Sequence, residues 1–132
     1  LTAVENVELP LIYRGVSRSV RQELSREALK KVGLEHRMDH KPSEMSGGQQ
    51  QRVAIARAIA QAPPVILADE PTGNLDSNST KEIMDILKGL HNEGRTVILI
   101  THDNGIAATA RRVVRLSDGR VISDEAQEVD WQ

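Results

Sequence analysis

Two short apolar runs with no polar interruption, at 65–68 and 96–100, constrain the fold most strongly. They read Val-Ile-Leu-Ala and Thr-Val-Ile-Leu-Ile, and a segment with helical periodicity lies between them. Continuous apolar runs of this length are typical of strands that are buried on both faces. Because a strand, a helix and a second strand in this order form a parallel pair, the pattern predicts an α/β fold. We therefore expect a parallel sheet with helices on both faces.

The first part of the chain predicts two helices. Residues 2–14 have a short helical pattern that Pro10 interrupts, and residues 18–32 form the clearest amphipathic segment. In this second helix the apolar side chains recur every four residues, and charged residues occupy the other faces. The recurring apolar positions are Val20, Leu24, Ala28 and Val32, with Leu29 beside them.

The middle of the chain predicts a loop and two further helices. Residues 35–45 are polar and contain a proline, which favours a loop. A helix is expected over about 46–62, where two prolines end it. The next helix is predicted at 79–93, because Ser79 followed by Glu82 matches a capping box.

The last part of the chain predicts a short helix, a hairpin and a tail. The short helix is expected at 104–110, after the second apolar run. Apolar segments at 113–116 and 120–122 flank an Asp-Gly pair, which is a strong hairpin signal. Residues 124–132 are acidic and are predicted to form a loose tail.

Composition excludes several classes of function. The 132 residues are 39% hydrophobic and 27% charged, which is typical of a folded chain and not of a disordered one. The net charge of -2 provides no electrostatic attraction to nucleic acid, so we predict no nucleic-acid partner. The absence of cysteine excludes a disulfide scaffold and a thiolate metal site. No apolar run approaches the roughly 18 residues of a membrane-spanning helix.

The sequence Ser-Gly-Gly-Gln at 46–49 opens the third predicted helix. Glycines let backbone N–H groups approach a ligand, and the positive end of the helix dipole points to the same place. Ser46 adds a hydroxyl donor, so the stretch suits a phosphate. The alternative is that Ser46 only caps the helix and the glycines only form a turn, and this stretch alone leaves both readings open.

Polar side chains follow both predicted strands. Asp69 and Glu70 come directly after the first strand, and His102 follows the second. A carboxylate at the end of a buried strand can hold Mg²⁺ through water, and a neighbouring carboxylate can orient or deprotonate an attacking water. An imidazole at the same edge could reach a transferring phosphoryl group. Taken singly, each of these residues is better explained as a solvated side chain at a strand end.

In combination and in this order, these segments resemble the ATP-binding cassette (ABC) ATPase family over residues from about 2 to 123. The matching elements are the signature motif at 46–49, the Walker B strand ending at Asp69, the catalytic glutamate Glu70, the D-loop at 74–76 and the switch histidine His102. The resemblance implies a partial P-loop NTPase (RecA-like) parallel sheet together with the ABC helical subdomain. The stretches 69–76 and 4–10 look most like the macrolide-exporter and lipoprotein-release branch.

The resemblance also implies an ATP site that two nucleotide-binding subunits share. Four residues would contact the γ-phosphate of the ATP that the other subunit holds: Ser46, Gly47, Gly48 and Gln49. Asp69 would position Mg²⁺ through water, and Glu70 would polarise the attacking water. His102 would contact the γ-phosphate, and Asp76 of the D-loop would communicate across the dimer.

The organisation and partners that the family implies follow from this site. The cofactor would be Mg²⁺ with ATP, and the partners would be a second nucleotide-binding subunit, as a homodimer, and a transmembrane permease. The protein would couple ATP hydrolysis to transport from the cytoplasmic face of the cell membrane. Residues 1–45 would belong to the helical subdomain, 46–123 to the signature helix and the catalytic α/β core with its hairpin, and 124–132 to the tail.

One family motif does not occur in the chain. A complete domain of this family needs a P-loop, G-x-x-x-x-G-K-[ST], whose amides and lysine bind the phosphates. The 132 residues contain no Gly-Lys pair. We therefore expect the C-terminal part of a nucleotide-binding domain, inactive by itself as an ATPase. We also expect its strands to expose apolar surface, which predicts marginal stability or self-association.

Two other functions remain open. The chain could be a catalytically inactive remnant, or a dimerisation or regulatory module that offers its signature to an intact partner in trans. It could also be a non-transport ATPase of DNA repair or translation. Against the latter stand the absence of cysteine pairs, the absence of sustained heptads, and Leu75 directly after Asn74, where translation factors commonly have Asn-His-Leu-Asp.

Overall fold

The computed structural model describes residues 1–129. The helices are α1 (Ala3–Tyr13), α2 (Arg18–Lys31), α3 (Gly47–Ile59), α4 (Ser77–Asn92) and α5 (Asn104–Ala107). The strands are β1 (Val65–Asp69), β2 (Thr96–Ile100), β3 (Arg112–Ser117) and β4 (Arg120–Ala126). Two short 3₁₀ turns, Glu35–Arg37 and Pro42–Glu44, lie between α2 and α3. No helix within these residues combines the length and the apolar character that crossing a bilayer requires.

The two apolar runs form the predicted parallel pair. Strands β1 and β2 are hydrogen-bonded in register from Val65 opposite Thr96 to Asp69 opposite Ile100. Both strands therefore end at the same edge, and the α/β class with a parallel sheet is confirmed. Helix α4 connects the strands and packs against β2.

The two faces of this sheet differ in burial. Ile66 is buried in the core, whereas Leu67 and Ile98, which alternate with inward residues, are 66% and 48% exposed. Within residues 1–129 the helices thus cover one face, and the other face presents the apolar surface expected for these strands.

The hydrophobic core is one continuous cluster that extends from α1 to the sheet. Helices α1, α2 and α3 pack against one another, and α3 packs against α4. Leu29, Leu34 and Ile83 are almost completely buried. Since full burial of such a side chain contributes about 1.5–3 kcal/mol, this cluster ties the helical part of the chain to the sheet.

Pro10 does not interrupt the first helix, contrary to the prediction. Helix α1 continues through Pro10 to Tyr13, and the N–H of Arg14 donates to the Pro10 carbonyl at 3.2 Å. Proline removes one hydrogen bond, to the residue four positions earlier, but Val7 and Leu11 on either side of it are buried. Their packing holds the helix across the missing bond.

The apolar stripe predicted on α2 is only partly correct. Ala28, Leu29 and Val32 are buried, but Val20 and Leu24 are 46% and 38% exposed, so the predicted stripe is buried only from Ala28 onward. The predicted loop at 35–45 also contains local order, since it includes the two 3₁₀ turns.

Three further boundaries differ from the predictions. Helix α4 starts at Ser77 with Asp76 as its N-cap, so the predicted capping box that begins at Ser79 is wrong. Helix α5 ends at Ala107 and is shorter than the expected 104–110. Strand β4 reaches Ala126, because its pairing with β3 continues into the first residues of the predicted tail. The end of that tail, 130–132, lies outside the described residues.

The predicted hairpin is present. Strands β3 and β4 pair antiparallel, and both turn residues, Asp118 and Gly119, have positive φ, of 51° and 74°. Positive φ at both central residues is the geometry that an Asp-Gly turn supplies. Arg112 and Asp124 form a two-pronged ion pair at 2.6 and 2.8 Å across the strands.

Candidate active site at the carboxyl edge of the sheet

The parallel register brings the polar residues after β1 and β2 to one edge of the sheet. Glu70 follows β1, and its backbone N–H donates to the carbonyl of Ile100, the last residue of β2, at 2.8 Å. The chain after β2 therefore passes directly beside Glu70. His102 lies here, as the order of the predicted strands requires.

The Glu70 carboxylate is held by the segment that follows β2. Its Oε1 accepts from the backbone N–H of His102 at 2.7 Å, and its Oε2 accepts from the Thr101 hydroxyl at 3.3 Å. The His102 Nε2 lies 3.7 Å from Oε1, and the imidazole is fully exposed. Glu70 and His102 are therefore brought together with their polar ends at the surface. Thr101 was not among the predicted site residues, although its position next to His102 was visible in the sequence.

The backbone of Glu70 is strained. Its φ is +46°, a region that residues other than glycine, asparagine and aspartate rarely occupy. Such a conformation costs about 1–2 kcal/mol relative to a right-handed one. A strained conformation of this kind persists where several surrounding hydrogen bonds hold it in place. Here the hydrogen bonds of Glu70 with Ile100, Thr101 and His102 hold it.

Asp69 lies at the same edge and is exposed. A single carboxylate oxygen donor fits Mg²⁺, which usually keeps several waters and binds proteins through one or two carboxylates together with phosphates. Among residues 1–129 no group of three or more His, Asp or Glu side chains is arranged to hold a metal ion by itself. Asp69 offers one carboxylate of this kind at the edge, and its role in holding Mg²⁺ stays a prediction.

The second group of predicted residues lies at the start of α3. Ser46 is the N-cap: its hydroxyl accepts from the N–H of Gln49 at 3.2 Å, and its own N–H donates to the Gln49 side chain at 3.0 Å. This reciprocal pair is a capping box. The capping role considered for Ser46 is therefore real. Ser46 and Gly47 are exposed, so the start of the helix is accessible.

The start of α3 packs against the segment that leads into α4. A Cβ placed on Gly47 would lie 3.5 Å from the Leu75 side chain, and one placed on Gly48 would lie 2.8 Å from the Ser79 hydroxyl. The structure thus brings residues 46–49 together with the predicted D-loop, a proximity that no sequence pattern indicated.

Asp76 begins α4. The backbone N–H of Ser79 donates to Asp76 Oδ1 at 2.7 Å and holds the pKa of that carboxyl below its ordinary value. Two residues earlier, Asn74 has a φ of +65°, which asparagine tolerates better than most residues. The candidate residues therefore form two groups: Asp69, Glu70 and His102 at the sheet edge, and 46–49 with Asp76 at the helix starts.

Comparison with known proteins agrees with the family resemblance. The family model described as ABC transporter matches residues 1–73. The macrolide export ATP-binding/permease protein MacB of Chlorobium luteolum is 54% identical over 128 residues, which are 97% of this chain and 19% of that protein. MacB of Mannheimia succiniciproducens is 55% identical over 124 residues, again covering 19% of its length.

A solved structure with the same fold is the dimeric structure of MJ0796, a bacterial ABC transporter cassette. It aligns with a TM-score of 0.81 and 49% identity, covering 97% of this chain and 57% of that one. The chain thus spans about a fifth of the macrolide-export proteins and a little over half of this cassette. The chain belongs to the ABC transporter family.

Proposed function

We propose that the chain is part of the ATP-binding subunit of an ABC transporter, in which ATP hydrolysis is coupled to transport through a partner permease. The observation that carries the proposal is the Glu70 carboxylate. Two hydrogen bonds, from the His102 backbone and the Thr101 hydroxyl, hold it at the carboxyl edge of a parallel sheet beside Asp69. Ligands of open α/β sheets bind at this edge.

Each residue at the edge has a defined task in this proposal. Glu70 orients and polarises the attacking water, because its side chain is already held in one position and its carboxylate is a hydrogen-bond acceptor. His102, which is exposed beside it, contacts the γ-phosphate. Asp69 holds Mg²⁺ through water, and the ion supplies positive charge that neutralises the phosphates.

The helix starts complete the site across a dimer. We place four residues on the γ-phosphate of ATP bound by a second nucleotide-binding subunit: Ser46, Gly47, Gly48 and Gln49. Asp76 lies beside them and communicates between the two sites. The dimeric structure of MJ0796 supports a partnership of two such chains, and the ATP-binding/permease names of the relatives support a permease partner.

We assign the cytoplasmic face of the membrane as the location, with residues 1–45 in the helical subdomain that faces the permease. Residues 46–123 then form the signature helix and catalytic core with its hairpin, and 124–132 the tail. A nucleic-acid partner does not fit the net charge of -2.

Hydrolysis of Mg-ATP by the native protein, purified from its source, tests this function. Glu70→Gln should keep the bond from the His102 N–H, and therefore the fold and ATP binding, while turnover falls by about 10²–10⁴-fold with the loss of the basic carboxylate. The matched control is Glu93→Gln, since Glu93 is an exposed carboxylate at the far end of α4 that pairs with Lys31 at 3.3 Å. Equal turnover by wild type and Glu70→Gln would refute the assignment.

A second candidate is a module without catalysis that acts in trans. The exposure of Ser46 and Gly47 supports it, because the signature is presented at the surface of the described chain. Adding the purified 132-residue chain to an intact nucleotide-binding subunit should then change the hydrolysis rate and give a complex in size-exclusion chromatography. Unchanged rates and separate elution would reject this candidate.

A further inference from the structure

The first turns of α3 and α4 touch at a point where only glycine fits. A Cβ added to Gly48 would lie 2.9 Å from the Cβ of Ser79 and 2.8 Å from its hydroxyl oxygen. Carbon atoms in contact normally stay about 3.5–4.0 Å apart, so any larger residue at this position must push the helices apart. Gly48 is buried, and the side on which a Cβ would stand faces Ser79 of α4.

A second contact between the two helices lies one helical turn farther along each of them. Arg52 lies four residues after Gly48, and Glu82 lies three residues after Ser79, so each follows on the same face of its helix. The Arg52 guanidinium is 3.5 Å from the Glu82 carboxylate. The helices are therefore held together over two successive turns. We call these four residues the α3–α4 clasp: Gly48, Arg52, Ser79 and Glu82.

Ser79 connects the clasp to the D-loop. Its backbone N–H is bound by the Asp76 carboxylate at 2.7 Å, and its side chain is the group that faces Gly48. One residue thus contacts the N-cap of α4 through its backbone and the start of α3 through its side chain. A displacement of Asp76 that carries Ser79 with it would therefore change the contact between Ser79 and the start of α3.

We infer that Ser79 is a positioning residue that makes the signature and the D-loop one rigid unit. The inference rests on the proposed function, since it states how the two family motifs of that site move together. It assigns a packing role to Gly48, in addition to any approach of its backbone to nucleotide. A change at Asp76 is then transmitted through Ser79 to the residues that contact ATP in the other subunit.

A double-substitution experiment in the native protein separates the packing role from ligand approach. Gly48→Ala should lower kcat by about 100-fold, the effect of misplacing a reacting group by about 1 Å. Ser79→Gly in the same protein removes the two atoms that the new methyl group would meet at less than 3 Å, so the double variant should regain most of the lost kcat. If Gly48 serves only to approach nucleotide, the double variant should be as slow as Gly48→Ala.

The matched control is Gly89→Ala, which also places a methyl group on a helical glycine, in the last part of α4. Apart from its chain neighbours and the backbone of its own helix, no atom lies within 4 Å of the position that its Cβ would take, so kcat and KM should not change. Ser79→Gly alone should lower kcat less than Gly48→Ala, because it loosens the contact without creating a clash.

Amide hydrogen exchange gives a readout that does not depend on hydrolysis. Gly48→Ala should speed exchange both in 46–52 and in 77–82, and the added Ser79→Gly should slow it again in both segments. If Gly48→Ala does not fold and the double variant does, the rescue itself supports the contact. If the wild type hydrolyses no ATP, the proposed function fails while exchange still tests the clasp. Failure of Ser79→Gly to restore either kcat or exchange would overturn the inference.

Discussion

Arg52→Met tests which of two interactions makes Arg52 important for stability. The side chain is 18% exposed, and its guanidinium donates to the Val32 carbonyl at the end of α2 at 3.3 Å. The other end of the guanidinium is paired with Glu82, whose side chain is 55% exposed. Methionine keeps much of the apolar stem of arginine and removes both polar contacts.

The expected free energies indicate that the hydrogen bond to the Val32 carbonyl stabilises the fold more than the ion pair with Glu82 does. A buried acceptor left without a donor costs about 1–3 kcal/mol, and Val32 is almost fully buried. An ion pair with a largely exposed partner contributes about 0–1 kcal/mol. The Arg52 Nε is buried without a hydrogen-bond partner, so removing it offsets part of the loss. We therefore expect Arg52→Met to reduce the free energy of unfolding by about 1–3 kcal/mol, mostly through Val32.

Urea unfolding of the native protein measures this free energy. Glu82→Gln should cost less than about 1 kcal/mol, and Arg57→Met, at an exposed site on the same helix, less than about 0.5 kcal/mol. The loss in Arg52→Met should also change little between low and high salt, because a carbonyl is not a charged partner. If Glu82→Gln destabilises the protein as much as Arg52→Met does, the carbonyl does not dominate and the reasoning is refuted.

Three other substitutions probe the fold. Asp76→Asn keeps a good N-cap but removes the group that titrates. Because the pKa of Asp76 is lowered in the folded state, the free energy of unfolding in urea should be larger for wild type than for the variant at pH values above the ordinary carboxyl pKa. This difference should vanish as the pH falls through the pKa of the folded state. Leu29→Ala, at a completely buried site, should cost about 2–5 kcal/mol in the same assay. Ala62→Gly should raise the midpoint of thermal unfolding, because φ at Ala62 is +51° and glycine adopts this conformation without strain. The strain relieved, about 1–2 kcal/mol, exceeds the cost of the greater backbone freedom of glycine in the unfolded chain, about 0.5–1 kcal/mol. A lower midpoint would contradict this.

The strands and their polar edge were predictable because their signal is local. Each run is apolar without interruption and ends at a charged or polar residue, and the parallel order alone places both ends at one edge. The start of α4 was not predictable in the same way. Asp76 and Ser79 are both good N-cap residues three positions apart, and local preference does not separate them. The structure uses Asp76 as the cap, which leaves the Ser79 side chain free to pack on Gly48.

The details of the carboxyl edge of the sheet depend on long-range geometry that local sequence patterns do not report. Glu70 is bound by Thr101 and His102, which are 31 and 32 residues away, through the register of β1 and β2. Its positive φ gives no sequence signal either, because glutamate is not a residue that favours this conformation. The roles predicted for Asp69, Glu70 and His102 from the family resemblance remain proposals, but the structure supplies the contacts that such roles require of Glu70.

The two readings of Ser46, as helix cap and as phosphate contact, do not exclude each other. The hydroxyl uses one lone pair to accept from the Gln49 N–H, and a hydroxyl also has a proton to donate and a second lone pair. The cap occupies the amide of Gln49, whereas helix geometry offers no intrahelical acceptor for the amides of Gly47 and Gly48. These amides and the helix dipole face the same end of α3. Capping therefore fixes the Ser46 side chain beside the amides that a phosphate needs as donors. Because the cap uses the amide of Gln49, it leaves the amides of Gly47 and Gly48 available to the proposed phosphate.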